Sequence, residues 1–177
     1  MASLREKVEA ELEQMDRALR ELPGARRVGQ LSVLELGGTA SLLSSLYHGV
    51  ENILKQGLLA SELALPRGAA WHRDLLQLAC GRGLVSTDLR DRLVPYMAFR
   101  HFFTHAYGFD LDPQQLVPLV RDIRSVCACF KQEAKRFVRM QGPCDPPDRL
   151  AETDLIVFQS IPAYVLNDDD NESQNAG

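Results

Sequence analysis

Residues 112–137 read DPQQLVPLVRDIRSVCACFKQEAKRF, and this stretch decides the fold class. Leu116, Val120, Ile123, Cys127, Phe130, Ala134 and Phe137 recur at spacings of three and four, which puts all of them on one face of an α-helix. A strand cannot satisfy that period, because its alternate side chains point to opposite faces. Asp112-Pro113 supplies the start signal: an N-cap carboxylate, then a proline in the first turn, where a missing N–H has no partner to lose. The spacing predicts a long helix that serves as the spine of a bundle.

Working outward, Leu4, Val8, Leu12, Met15, Leu19 and Leu22 form a second stripe, predicting a helix from about residue 3 to 22 before Pro23-Gly24. After Gln30, the positions Leu42, Leu46, Val50, Ile53 and Gly57 predict a long helix ending before Pro66, with Gly37-Gly38 as a point of kinking or restart. Trp71, Leu75, Leu78 and Ala79 predict a short helix over about 69–80, closed by Gly81 and Gly83. Ser86-Thr87-Asp88 caps a further helix through Leu89, Leu93, Met97 and Phe103, with a tolerated kink at Pro95 and a break near Gly108. Beyond Gly142, the prolines Pro143, Pro146 and Pro147 stop helix formation, apolar islands follow at 155–158 and 161–166, and 167–177 reads as disordered. The expectation is an all-α bundle of four to five helices over residues 1–142, with a short, irregular, acidic arm over 143–177.

A chain of 177 residues has room for one core, and 45% hydrophobic with 25% charged residues excludes collagenous or wholly disordered readings. Uncharged apolar runs fall short of the ~18 residues of a membrane helix, and Arg5, Glu6 and Lys7 follow Met1 closely, so a soluble, unexported, cytoplasmic protein is expected. Cys80, Cys127, Cys129 and Cys144 are too sparse for a disulfide framework and read as reduced thiols. Cys127 and Cys129, two apart on a helix, point to different faces and do not share a metal. The net charge of −4 conceals an asymmetry. Residues 143–177 hold one basic and eight acidic residues, net −7, which leaves the bundle at +3 and compatible with an anionic ligand such as RNA.

There is no Walker loop, GxGxxG, HExxH or GxSxG pattern. Unusual residues concentrate instead in residues 96–110, YMAFRHFFTHAYGFD. Arg100 and Tyr107 align with the apolar positions Leu89, Leu93, Tyr96 and Phe103, and an arginine there is costly unless it is paired, lies at a subunit interface or contacts an anion. On an ideal helix His105 lies about 140° from Arg100, so the two converge only through local unwinding or through a second protomer. Imidazole, guanidinium and phenol suit metal-free cleavage of an RNA phosphodiester: an imidazole takes or gives the proton, a guanidinium holds the non-bridging oxygens, and Tyr107 donates to phosphate or stacks on a base. His101 and His105 are i, i+4, but neither Asp110 nor Asp112 is plainly placed as a third ligand, so neither a metal nor a cofactor is expected.

Four features lie outside that segment. Glu51 and Asn52 reach the cleft or are solvated polar positions. Trp71 and His72 read as packing and a capping hydrogen bond. Arg124, Lys131, Lys135 and Arg139 form a basic stripe, read first as a solvated face and second as a contact for RNA backbone. The run Asp168-Asp169-Asp170 reads as a solubilising tail.

The segment Arg100-His101-Phe102-Phe103-Thr104-His105-Ala106-Tyr107 resembles the Arg-x4-His-x-Tyr motif of the HepT-like toxins within the HEPN ribonucleases. Tyr47-His48-Gly49-Val50-Glu51-Asn52-Ile53-Leu54 and Trp71-His72-Arg73-Asp74-Leu75-Leu76 are also similar to that group, so the resemblance spans roughly residues 30–140. It implies an all-α HEPN bundle that dimerises and brings two motifs into one cleft cutting RNA without metal. His105 would be the acid/base and Arg100 the phosphate contact. It also implies an MntA-type nucleotidyltransferase antitoxin that transfers AMP to the motif tyrosine, here Tyr107. Where many members have Asn after the arginine, this chain has His101, a possible supporting residue of the site. The rival expectation is a non-catalytic helical module that binds a nucleotidyltransferase or a nucleotide.

Overall fold

The computed structural model describes residues 2–105 and 111–141, and of His105 the backbone alone. Tyr107, the expected break at Gly108, Asp110, Cys144 and the whole of the arm predicted over 143–177 lie outside the described residues. Within them the chain is all-helical: α1 (Leu4–Glu21), a 3-10 turn (Ala25–Gln30), α2 (Val33–Ala60), α3 (Trp71–Gly81), α4 (Thr87–His105) and α5 (Pro113–Met140). No helix among the described residues is long and apolar enough to cross a membrane.

Most of these helices begin where a side chain satisfies the free N–H groups of the first turn. Ser3 with Glu6 and Ser32 with Glu35 form reciprocal capping boxes at the starts of α1 and α2. Asp112 accepts from the Gln114 N–H at 2.9 Å before Pro113 opens α5. At α4 the Ser86 hydroxyl accepts from the Leu89 N–H at 3.2 Å. Glu133 of α5 in turn accepts from the Ser86 N–H at 2.6 Å and its hydroxyl at 2.8 Å. Helix α3 has no side-chain cap. It ends at Gly81, and Gly83 two residues on, whose φ of 72° suits glycine, lets the Leu84 N–H reach back to the Ala79 carbonyl at 3.0 Å.

The central element is α2, not α5 as the stripe in residues 112–137 led us to expect. Helix α2 packs against α1, α3, α4 and α5, and it buries Leu43, Leu46, Tyr47, Val50, Leu54 and Leu58 almost completely. Helix α5 packs against α1, α2, α4 and the 3-10 turn with one face, because its other face is charged. Nor does α2 break at Gly37-Gly38. Leu36, Thr39 and Ala40 around the pair are buried, so tertiary packing carries the helix through it. The 3-10 turn was not anticipated, since Val28 is its one buried residue and no stripe announces it.

Two glycines of α2 are sites of close approach. A Cβ at Gly49 would stand 2.8 Å from Met15 Cγ of α1, and one at Gly57 would stand 2.3 Å from Leu84 Cδ2 and 3.2 Å from Phe137 Cε1. Half of the basic stripe of α5 is engaged within the bundle. Arg124 donates to the Leu19 and Leu22 carbonyls at 2.7 and 2.9 Å, where α1 ends, and Lys131 pairs with Asp16. Lys135 and Arg139 are exposed. Cys127 is buried, which pushes its thiol up to about 12, while Cys80 and Cys129 are partly exposed.

Candidate functional site

The polar centre of the molecule forms around a carboxylate that the sequence left with two readings. Glu51 is fully buried, with 0% of its side chain exposed, on the face of α2 shared by Tyr47, Leu54 and Leu58. An acid held there needs partners, since stripping water from an unpaired charge costs several kcal/mol or more. They come from three helices. Arg100 of α4 places Nη1 3.2 Å from Glu51 Oε2, and His72 of α3 sets Nδ1 against Glu51 Oε1. His48, one turn before Glu51 on α2, has Nδ1 3.8 Å from Oε2.

Arg100 is the hub of this arrangement. Its Nη1 lies 3.2 Å from Nδ1 and 3.5 Å from Nε2 of His72, and its Nη2 lies 3.4 Å from Nδ1 of His48. Arg100 lies in the stripe expected for it: Leu89, Leu93 and Tyr96 of α4 are buried, Phe103 is partly buried, and Arg100 is 21% exposed. Of the conditions that would make it tolerable, pairing is the one observed. His101 beside it is exposed and acts electrostatically on His72. His105 ends α4, but its side chain and all of Tyr107 lie outside the described residues, so the described structure does not bring Arg100, His105 and Tyr107 together.

Around the carboxylate the electrostatics favour a neutral imidazole. Burial is the main cause that lowers His72 below the usual histidine value, and Arg100 and His101 act the same way, against the opposing pull of Glu51. The ring packs on Trp71 with centroids 3.6 Å apart, and Lys55 Nζ lies 4.3 Å from the Trp71 centroid. Tyr47 places its hydroxyl in the interior with no hydrogen-bond partner in the described structure, and burial raises its pKa well above the ordinary phenol value. Asn52 points away from this centre and donates to Glu11 of α1 at 3.3 Å.

Sequence reasoning singled out Arg100 and read Trp71 as packing, both in keeping with the structure. It missed the role of His72, which joins a carboxylate of another helix rather than capping its own. A signal for Glu51 existed, because Tyr47, Glu51, Leu54 and Leu58 are spaced four, three and four apart, an acid within an apolar stripe. Among the described residues, no group of three or more His, Cys, Asp or Glu side chains is arranged to hold a metal ion.

The side chains that converge here, from α2, α3 and α4, all fall inside residues 38–141, the segment matched by the family model described as HepT-like protein. No curated protein and no solved structure matches the chain. The matched segment runs from the first turns of α2 to the end of α5 and is more than half of the chain, which therefore belongs to the HepT-like protein family.

Proposed function

We propose that this HepT-like protein is a metal-independent endoribonuclease, the toxin of a toxin–antitoxin pair. It cuts RNA, tRNA or mRNA, at a cleft between two copies built from Arg100 and His105. The observation that carries this reading is the setting of Arg100, whose guanidinium is partly open to solvent and surrounded by a sealed carboxylate and two imidazoles. A guanidinium so held is preorganised to take the non-bridging oxygens of a phosphodiester, whose charge grows in the transition state. Family membership supports the same reading. His105 serves as acid/base, and Tyr107 is the point of control, where an MntA-type nucleotidyltransferase antitoxin attaches AMP.

The test is incubation of the purified protein with total tRNA in EDTA, after intact mass has excluded AMP on Tyr107, comparing wild type with Arg100→Ala and His105→Ala. The expected outcome is cleavage by the wild type alone, leaving 2′,3′-cyclic phosphate ends. Absence of cleavage by unmodified, folded wild type would favour instead a helical module that binds a nucleotidyltransferase or nucleotide.

A further inference from the structure

Cleavage of RNA by 2′-OH attack moves two protons, one off the nucleophile and one onto the leaving oxygen, and the reading above, on which this inference rests, names one histidine per protomer. We propose that His72, oriented by Glu51, is the base that takes the first proton, within the same protomer as Arg100.

Three features carry this assignment. The first is the tautomer: a carboxylate only accepts hydrogen bonds, so the contact of Glu51 Oε1 with Nδ1 puts the ring proton on Nδ1 and leaves the lone pair on Nε2. The second is access, since Glu51 is sealed while the His72 side chain is 24% exposed, so the carboxylate is reserved for orientation and the imidazole is reachable. The third is placement. Arg100 Nη1 lies 3.2 Å from Nδ1 and 3.5 Å from Nε2, so a phosphate held by Arg100 sits beside the His72 ring. The charged and titratable groups that face the ring are Glu51 from α2 and Arg100 and His101 from α4, and burial with the two basic neighbours keeps it in the neutral, accepting form. His48 lacks this arrangement, because its Nδ1 stands 3.8 Å from the carboxylate, beyond hydrogen-bond distance.

In the reaction, His72 Nε2 takes the 2′-OH proton as the O2′–P bond forms. The P–O5′ bond breaks, and O5′ receives a proton from the His105 imidazolium. The products are a 2′,3′-cyclic phosphate and a 5′-hydroxyl, and exchange with water returns both histidines to their starting states.

Single-turnover cleavage in EDTA, followed across pH with unmodified protein, tests the assignment on two RNA oligonucleotides, one ordinary and one with sulfur replacing the bridging 5′ oxygen. His72→Asn is the informative variant, since its amide keeps a donor for Glu51 and removes the base. It is expected to slow cleavage by roughly 10²–10⁴-fold on both substrates and to flatten the acid limb of the pH profile. His105→Ala is expected to recover on the sulfur substrate, whose thiolate leaves without a proton. Nitrogen NMR of His72 in the wild type is expected to show the Nδ1–H tautomer. The assignment is overturned if His72→Asn keeps the wild-type rate and profile, if the sulfur substrate rescues it, or if the proton resides on Nε2. A wild type that cuts neither substrate overturns the ribonuclease reading and this assignment together, whereas an active wild type indifferent to His72→Asn overturns this assignment alone.

Discussion

Arg124 and Arg100 each tie helices together in this bundle, and their partners differ in kind. Between α1 and α5, Arg124 donates to the Leu19 and Leu22 carbonyls, and Lys131 reinforces the same seam through Asp16. Between α2, α3 and α4, Arg100 meets Glu51, His72 and His48. Backbone carbonyls cannot titrate, and they are the groups a helix leaves unsatisfied at its C-terminus, so the first arrangement is a permanent brace. The second surrounds a sealed acid with two imidazoles, side chains able to gain or lose a proton. As a brace it is a poor choice, because desolvation largely offsets the attraction of a buried pair. The same residue type thus serves architecture where its partners are fixed, and under the proposed function it serves chemistry where its partners include imidazoles that solvent reaches.

The contrast breaks most visibly under paired substitution. Arg100→Ala is expected to lower RNA cleavage by about 10²–10³-fold, the loss typical of one preorganised donor to a developing charge, and Arg124→Ala to leave the rate nearly unchanged. Equal losses in the two variants would erase the distinction. In urea denaturation Arg124→Ala should then cost about 1–2 kcal/mol, as two hydrogen bonds from a charged group to the end of α1 are lost. A smaller change is expected beside the acid: Tyr47→Phe removes a buried hydroxyl without a partner and should raise stability by about 1 kcal/mol, so a loss of stability would reveal a partner for that hydroxyl. Lys131→Met should cost less than about 1 kcal/mol, because the pair with Asp16 lies at the surface, and added salt should shrink the difference further.

The slightest effect is one of pH. His72 titrates below its unfolded value, so the unfolded chain binds more protons in that window. Its contribution is complete above the ordinary imidazole value of 6.5 and is lost as pH falls through the lowered one. The denaturation midpoint of wild type should therefore decline on mild acidification more than that of His72→Asn.

Much of the fold was legible because its outer helices contrast sharply in polarity. The stripes of Leu4 to Leu22 and of Leu116 to Phe137 placed α1 to within a residue and α5 to within three at either end, since one face of each is charged and the other buried. Helix α2 was harder, because an element enclosed by four others is apolar on much of its circumference, which blurs its period and conceals its central place. At the site, Arg100 stood out as a charge in an apolar stripe. Glu51 stood in the same kind of position, but its meaning depends on His72 and Arg100, which lie on other helices and are brought to it only by packing. For His105 and Tyr107 the expectation rests on the motif and on the family.

The close approach at Gly57 bears on which changes of chain length the protein can accept. Leu84 and Phe137 fit against α2 at that residue like a tooth in a notch, and Glu51 lies six residues earlier, about 9 Å along the axis. A single residue inserted between the two positions would turn Glu51 by about 100° with respect to the notch and carry the carboxylate away from Arg100 and His72. The spacing from 51 to 57 is thus a gauge length, set by the smallest side chain at one end and read out at the other.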